Sequence, residues 1–133
     1  MGPNWDFDIS CGNINYNGCD ASSGWRIKNS VWISRLFSDP AFVEKVKARW
    51  NEVSSSLSVL INSSGSTGGI QALADEISVS AEYNFLKWKI LGIYVWPNAA
   101  GYEERITYQS EVDYMVNWLN CRYNYMDEEI NAL

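Results

Sequence analysis

Two carboxylates near the N-terminus, Asp6 and Asp8, sit two residues apart in the stretch Trp5-Asp6-Phe7-Asp8. In an extended chain alternate side chains point to one face, roughly 6.6 Å apart along the strand at about 3.3 Å per residue. Asp6 and Asp8 would then project together, while Trp5 and Phe7 pack the other way. Two like charges held side by side repel, and a cation or solvent between them relieves that repulsion. Mg²⁺ suits such a pair, because it takes oxygen ligands and commonly uses one or two carboxylates with waters and substrate phosphates. A pair of acids on the wet face of an edge strand is the plainer alternative. Spacing alone leaves either acid as the primary ligand.

Little else in the composition supports chemistry. The chain has 133 residues and no histidine. That removes Ser-His-Asp and Cys-His nucleophile activation, imidazole bases and HExxH zinc sites. Cys11, Cys19 and Cys121 form no CxxC pattern. Three thiols without partners is the plainer reading; a Cys11–Cys19 bridge in an oxidising compartment is the other. A net charge of −6 with dispersed Lys and Arg argues against a nucleic-acid surface. No apolar run approaches the roughly 20 residues of a bilayer span, and no basic-then-apolar leader opens the chain. No membrane partner is expected.

The elements that must position the acids follow from periodicity. Residues 4–9 alternate apolar and polar and predict a strand, so the chain is expected to begin abruptly, inside what looks like a strand. Residues 10–24, rich in Gly, Asn and Ser, predict a long loop. A short helix is expected over 29–37, with Val31, Trp32 and Leu36 on one side. Asp39 as cap and Pro40 at the first helical position open a long helix. Its stripe runs through Phe42, Val43, Val46, Trp50, Val53, Leu57, Leu60 and Ile61, and the Ser/Gly tract 63–69 ends it. A third helix is expected through Ile70, Leu73, Ala74, Ile77, Ala81, Phe85 and Trp88, ending near Gly92. After an irregular segment from Pro97 to Arg105, Thr107 or Ser110 caps a last helix buried along Val112, Met115, Val116, Leu119, Tyr123, Met126, Ile130 and Leu133. The fold class is mostly α: three long amphipathic helices, a short helix and one N-terminal strand, in a single domain over 1–133.

Seven Trp and eight Tyr are an unusual aromatic load. Trp32, Trp50, Trp88 and Trp118 fall at helical core spacing, which predicts packing. Tyr94, Trp96 and Tyr102 flank the Pro97-Asn98 loop and are the candidates for contact with a glycan or a partner protein. Glu103-Glu104 and Asp127-Glu128-Glu129 read as solvated faces. Asn117, Asn120 and Asn124 are candidate contacts to an adjoining domain.

The run Gly2-Pro3-Asn4-Trp5-Asp6-Phe7-Asp8-Ile9-Ser10-Cys11-Gly12-Asn13 resembles the GP-x-WDFD-x-x-x-GN stretch of the CotH family, the spore-coat-type atypical protein kinases. The likeness continues through Trp32, Leu36, Ser38-Asp39-Pro40-Ala41-Phe42-Val43 to Arg49-Trp50, then Asn84-Phe85-Leu86-Lys87-Trp88, and from Thr107-Tyr108 to Trp118-Leu119 and Arg122. The resemblance implies a counterpart of the metal-binding kinase aspartate at Asp6, with Asp8 a second ligand or a hydrogen-bonding support, and Mg²⁺ with ATP as cofactor in the intact parent. It also implies a Ser/Thr-type protein kinase acting on a protein substrate at a cell or spore surface. The nucleotide-covering loop, the phosphate-binding Lys and the catalytic Asp of a kinase lie upstream of this stretch in the family. The chain thus looks like the C-terminal subdomain without its N-terminal lobe, inactive alone, with no catalytic residue of its own. The missing lobe would be its partner. Apolar surface meant for that lobe would favour homo-oligomers or exchange of the N-terminal strand. The other reading is a non-catalytic carbohydrate- or protein-binding module of a secreted, cellulosome-associated protein, for which a flat row of exposed rings is expected.

Overall fold

The computed structural model describes residues 9–63 and 68–133, and these are helical with irregular connections. A 3₁₀ turn at Arg26–Asn29 leads into α1 (Val31–Leu36), α2 (Pro40–Asn62), α3 (Ile70–Glu76), α4 (Ser78–Lys87), a second 3₁₀ turn at Tyr102–Glu104, and α5 (Tyr108–Asn131). The expected strand over 4–9 lies outside the described residues except for Ile9, which sits in a turn.

Both long helices start where local chemistry predicts. The Asp39 carboxylate accepts from the Ala41 N–H at 2.9 Å, and Pro40 occupies the first helical position. These satisfy backbone groups that the first turn otherwise leaves open. At α5 the two candidate caps act together: Thr107 accepts from the Ser110 N–H at 3.0 Å, and Ser110 accepts from the Thr107 N–H at 3.1 Å. Reciprocal capping of this kind fixes the helix entry.

The helices α2 and α5 pack against each other and run antiparallel. Trp50 Nε1 donates to Asp127 at 2.6 Å, while Asn62 and Asn120 exchange two amide hydrogen bonds at 2.9 Å. Rising numbers on α2 therefore meet falling numbers on α5. The Trp50 ring also lies 5.5 Å from Tyr123. Asp127 is thus held in the interface rather than on a solvated face, and Asn120 is occupied by Asn62. The short α3 covers the start of α5, where Tyr108 donates to the Ala74 carbonyl at 3.2 Å and Gln71 pairs with Gln109.

The third expected helix is divided. Ile77 leaves the helical region (φ −94°, ψ 4°) and separates α3 from α4. The run Ile77-Ser78-Val79-Ser80 joins β-branched residues, stiff at χ1, to serines that compete for backbone hydrogen bonds, so a break costs least there. α4 ends at Lys87, before Gly92, because the chain must turn back: the Gly92 N–H donates to the Arg105 carbonyl at 3.0 Å, with Gly92 at φ +71°.

The core is thin. Among the described residues the buried apolar side chains are Ile14, Ala74, Ala99, Val112 and Ile130. Trp50 and Trp118 are half-buried and hydrogen-bonded as packing predicts, but Trp32 is 84% exposed and Trp88 is exposed as well. Helical spacing sets the side from which a ring projects; something else must cover that side. Val31 beside Trp32, and Leu73, Ile77, Val79 and Leu86 on α3 and α4, are also exposed. No helix of the described residues is long and apolar enough to cross a membrane.

Candidate functional site

Asp6 and Asp8 lie outside the described residues. The chain that leaves them is described, and it is tightly held. Ser10 to Asn13 forms a turn, with the Asn13 N–H donating to Ser10 O at 3.1 Å and the Ile14 N–H to Gly12 O at 2.9 Å. Cys11 (φ +53°) and Gly12 (φ +85°) both adopt left-handed backbone. Gly12 has a steric reason to lack a side chain: a Cβ there would overlap the indole of Trp118. The following Ile14 is buried and anchors the turn.

One face of α5 carries the donors that hold this segment. Tyr114, Trp118 and Arg122 are spaced by four residues and so line one side of the helix. Tyr114 Oη donates to Gly12 O at 3.1 Å, Trp118 Nε1 to Asp20 O at 2.6 Å, and Arg122 Nη1 to Ser22 O at 3.1 Å and Gly24 O at 2.5 Å. Every acceptor is a main-chain carbonyl of a loop without regular secondary structure, whose backbone groups have no helix or sheet ladder to satisfy them. Arg26 closes the loop from its far end, donating to Cys19 Sγ at 3.1 Å and to Asn17 O. All three cysteines are free thiols, so no Cys11–Cys19 bridge forms here.

Beneath Tyr114 lies the one buried charged residue of the described chain. Arg105 is 5% exposed, its guanidinium stacked 4.2 Å from the Tyr114 ring centroid. Its Nε pairs with Glu111 at 2.9 Å and its Nη1 donates to Ala100 O at 3.3 Å, while Nη2 has no partner. Burial pushes the Tyr114 phenol above its ordinary value of 10; Arg105 opposes that shift, and Asp20 and Glu111 add to it. The phenol therefore stays protonated at neutral pH and remains a donor to Gly12. Glu111 also lines a cavity of about 280 Å³ with Ile9, Asn13, Phe85, Pro97 and Asn98. That cavity abuts the point where the chain arrives from Asp8.

Of the predicted aromatic candidates, Trp96 lines this cavity. Trp96 is 69% exposed and lies nearly parallel to Tyr16, with centroids 6.1 Å apart and planes at 11°. Tyr94 is exposed, accepts from Asn15 Nδ2 at 2.7 Å, and sits 5.4 Å from the half-buried Tyr102. Sequence reasoning missed Arg105 and Tyr114, whose pairing crosses from an irregular segment to a helix and leaves no periodic signal. Among the described residues no cluster of three or more Cys, Asp or Glu could hold a metal ion.

A protein-family model described as CotH kinase protein matches residues 1–126. The chain belongs to the CotH kinase family. No curated protein and no solved structure matches it. The CotH match takes in Asp6 and Asp8, the turn at Gly12 and the whole Tyr114–Trp118–Arg122 face of α5.

Proposed function

We propose that these residues form the C-terminal part of a CotH-type protein kinase in which Asp6 binds the Mg²⁺ that accompanies ATP. The observation that carries this reading is the placement of the segment leaving the WDFD stretch. Within a family-matched chain it is fixed on α5 by side-chain hydrogen bonds, which suits an acid that must be held still. Asp8 serves as second ligand or as a hydrogen-bonding support. The donor set fits a hard cation: two carboxylates with no histidine anywhere in the chain favour Mg²⁺ over zinc. Bound there, the metal would neutralise charge on the transferred phosphoryl group.

Two acids do not transfer phosphate by themselves. The reading requires a phosphate-binding Lys and a catalytic Asp from a further part of the kinase domain. The exposed apolar side chains of α1, α3 and α4 are the surface that would pack against it, and a protein acceptor is the substrate class. Without such cover these faces favour self-association. Light scattering of the 133-residue chain should show dimers or larger species at high concentration; a clean monomer would remove that support. Membership of this family supports a location at a cell or spore surface.

The direct test is Asp6→Ala in a kinase domain containing these residues. Mg²⁺-dependent nucleotide binding is expected to fall by roughly 10-fold or more, since losing a ligand carboxylate removes both charge and geometry. Unchanged binding and activity would defeat the assignment. A second reading, carbohydrate binding, draws on the near-parallel exposed rings of Tyr16 and Trp96. It would take over if Asp6→Ala were silent while the chain bound polysaccharide through Trp96.

A further inference from the structure

Two guanidinium groups converge on a cavity that the kinase reading leaves without a role. Arg26, from the first 3₁₀ turn, and Arg122, from α5, line a space of about 290 Å³ together with Cys19, Gly24, Trp25 and Trp118. We propose that this cavity binds a phosphate monoester group, held between the two guanidinium groups and flanked by the Trp25 and Trp118 indoles. The site uses neither Asp6 nor Asp8 and stands apart from the metal assignment above.

Charge makes the case. Like charges lining one cavity repel, and an anion between them relieves that repulsion. Arg105 and Arg49 each hold a carboxylate, from Glu111 and Glu52. Arg26 and Arg122 hold none among the described residues: their acceptors are the main-chain carbonyls of Asn17, Ser22 and Gly24 and the Cys19 sulfur. Three of these are neutral oxygens, and sulfur is a weak acceptor. Hydrogen bonds from a guanidinium to an anionic oxygen are roughly twice as strong, so a phosphate offers both groups a better partner. Arg122 makes its bonds to described partners through Nη1 alone, which leaves Nε and Nη2 for a ligand. The surroundings are cationic in an acidic chain. Between Ile9 and Ser38 the charged residues are Arg26, Lys28 and Arg35 against a single acid, Asp20, although the whole chain carries −6. Lys28 Nζ lies 5.2 Å from the Trp25 ring centroid, a third cation beside the indole that lines the cavity. Asp20 is not part of the lining. The volume lies at the low end for ligand pockets, which suits a phosphate on a small group rather than a nucleotide or a nucleic-acid strand.

The test titrates the 133-residue chain with O-phosphoserine and, separately, with inorganic phosphate, at constant ionic strength held with chloride. The readout is the set of indole N–H resonances in the nuclear magnetic resonance spectrum. Those of Trp25 and Trp118 should shift and saturate in the millimolar range. That of Trp50, bonded to Asp127 on the α2-facing side of α5, should stay in place. Tighter binding of O-phosphoserine than of phosphate would show that the esterified group is the ligand. Tighter binding of phosphate, or no saturable shift with either probe, would overturn the proposal. Arg26→Gln should weaken O-phosphoserine roughly tenfold, the loss of one charged hydrogen-bonding group. Arg26→Lys should fall between wild type and Gln, since it keeps the charge and loses the planar fork. Arg122→Gln should weaken binding as well, but it also releases the Ser22 and Gly24 carbonyls. Arg26 is exposed, so its variants decide the matter if Arg122→Gln melts early. Unchanged affinity in Arg26→Gln would mean that the guanidinium serves the loop alone, and the proposal would fall. Asp6→Ala should leave these titrations unaltered whatever it does to Mg²⁺, which keeps the two assignments separable.

Discussion

Gly12→Ala is expected to lower the melting temperature by roughly 10 °C, from a loss of about 3 kcal/mol. Two costs add. A non-glycine residue in the left-handed region costs roughly 1–2 kcal/mol, and Gly12 sits at φ +85°. The new methyl would also overlap the Trp118 ring, and forcing an extra carbon into packed surroundings costs typically 1–3 kcal/mol. Gly24 separates the two. It has a similar φ of +91°, but a Cβ there would meet nothing within 4 Å. Gly24→Ala should therefore show the backbone cost alone, about 1–2 kcal/mol. A double-mutant cycle adding Trp118→Ala to Gly12→Ala should recover part of the difference, since neighbouring changes couple. Thermal melts of the variants decide the matter. If Gly12→Ala melts no lower than Gly24→Ala, the indole is not seated against the turn.

How far the sequence reached is clearest at particular residues. Asp39-Pro40 and Thr107 with Ser110 were legible because capping is local: donor and acceptor lie within three residues of each other. The spans of α2 and α5 were legible because their stripes persist for many turns. The break at Ile77 was not, since a periodic pattern continues across it and only the stiffness of the β-branched residues marks the fault. Trp32 and Trp88 show a different gap. Their spacing gave a face, and the structure leaves that face uncovered. The candidate site divides in the same way. The Asp6–Asp8 pair and the GN of the turn stand in one short run of sequence. The reason for Gly12 lies 106 residues away at Trp118, and the buried Arg105 meets Tyr114 only after the chain folds back from Gly92. No pattern along the chain announces such meetings.

Arg105→Ala carries the other large expected effect, a loss of about 2–3 kcal/mol. The change removes the ion pair to Glu111, the hydrogen bond to Ala100 O and the stacking on Tyr114. A fully buried pair broken on one side costs about 3–5 kcal/mol, but the Glu111 side chain is 34% exposed and can be rehydrated, which lowers the figure. Arg105→Met should cost less, about 1–2 kcal/mol, because its long stem still covers the Tyr114 ring and because Nη2, unpartnered in the native state, is a buried donor whose removal relieves a penalty. Urea unfolding midpoints should therefore fall in the order wild type, Met, Ala, with unchanged slopes. Equal losses for Met and Ala would show that the charge alone matters; a loss under about 0.5 kcal/mol for Ala, the range of an ordinary surface substitution, would show that the guanidinium is not a hub. The pH dependence gives an independent reading. Burial raises the Tyr114 phenol in the folded chain, so the neutral phenol favours folding at pH below its ordinary value near 10, and that contribution is lost as pH climbs through the raised value. Arg105 opposes the rise by favouring the phenolate. Taking the cation away in Arg105→Met must shift the Tyr114 titration further upward, measurable by ultraviolet absorbance against a Tyr114→Phe reference. A shift downward would mean that the guanidinium does not face the ring.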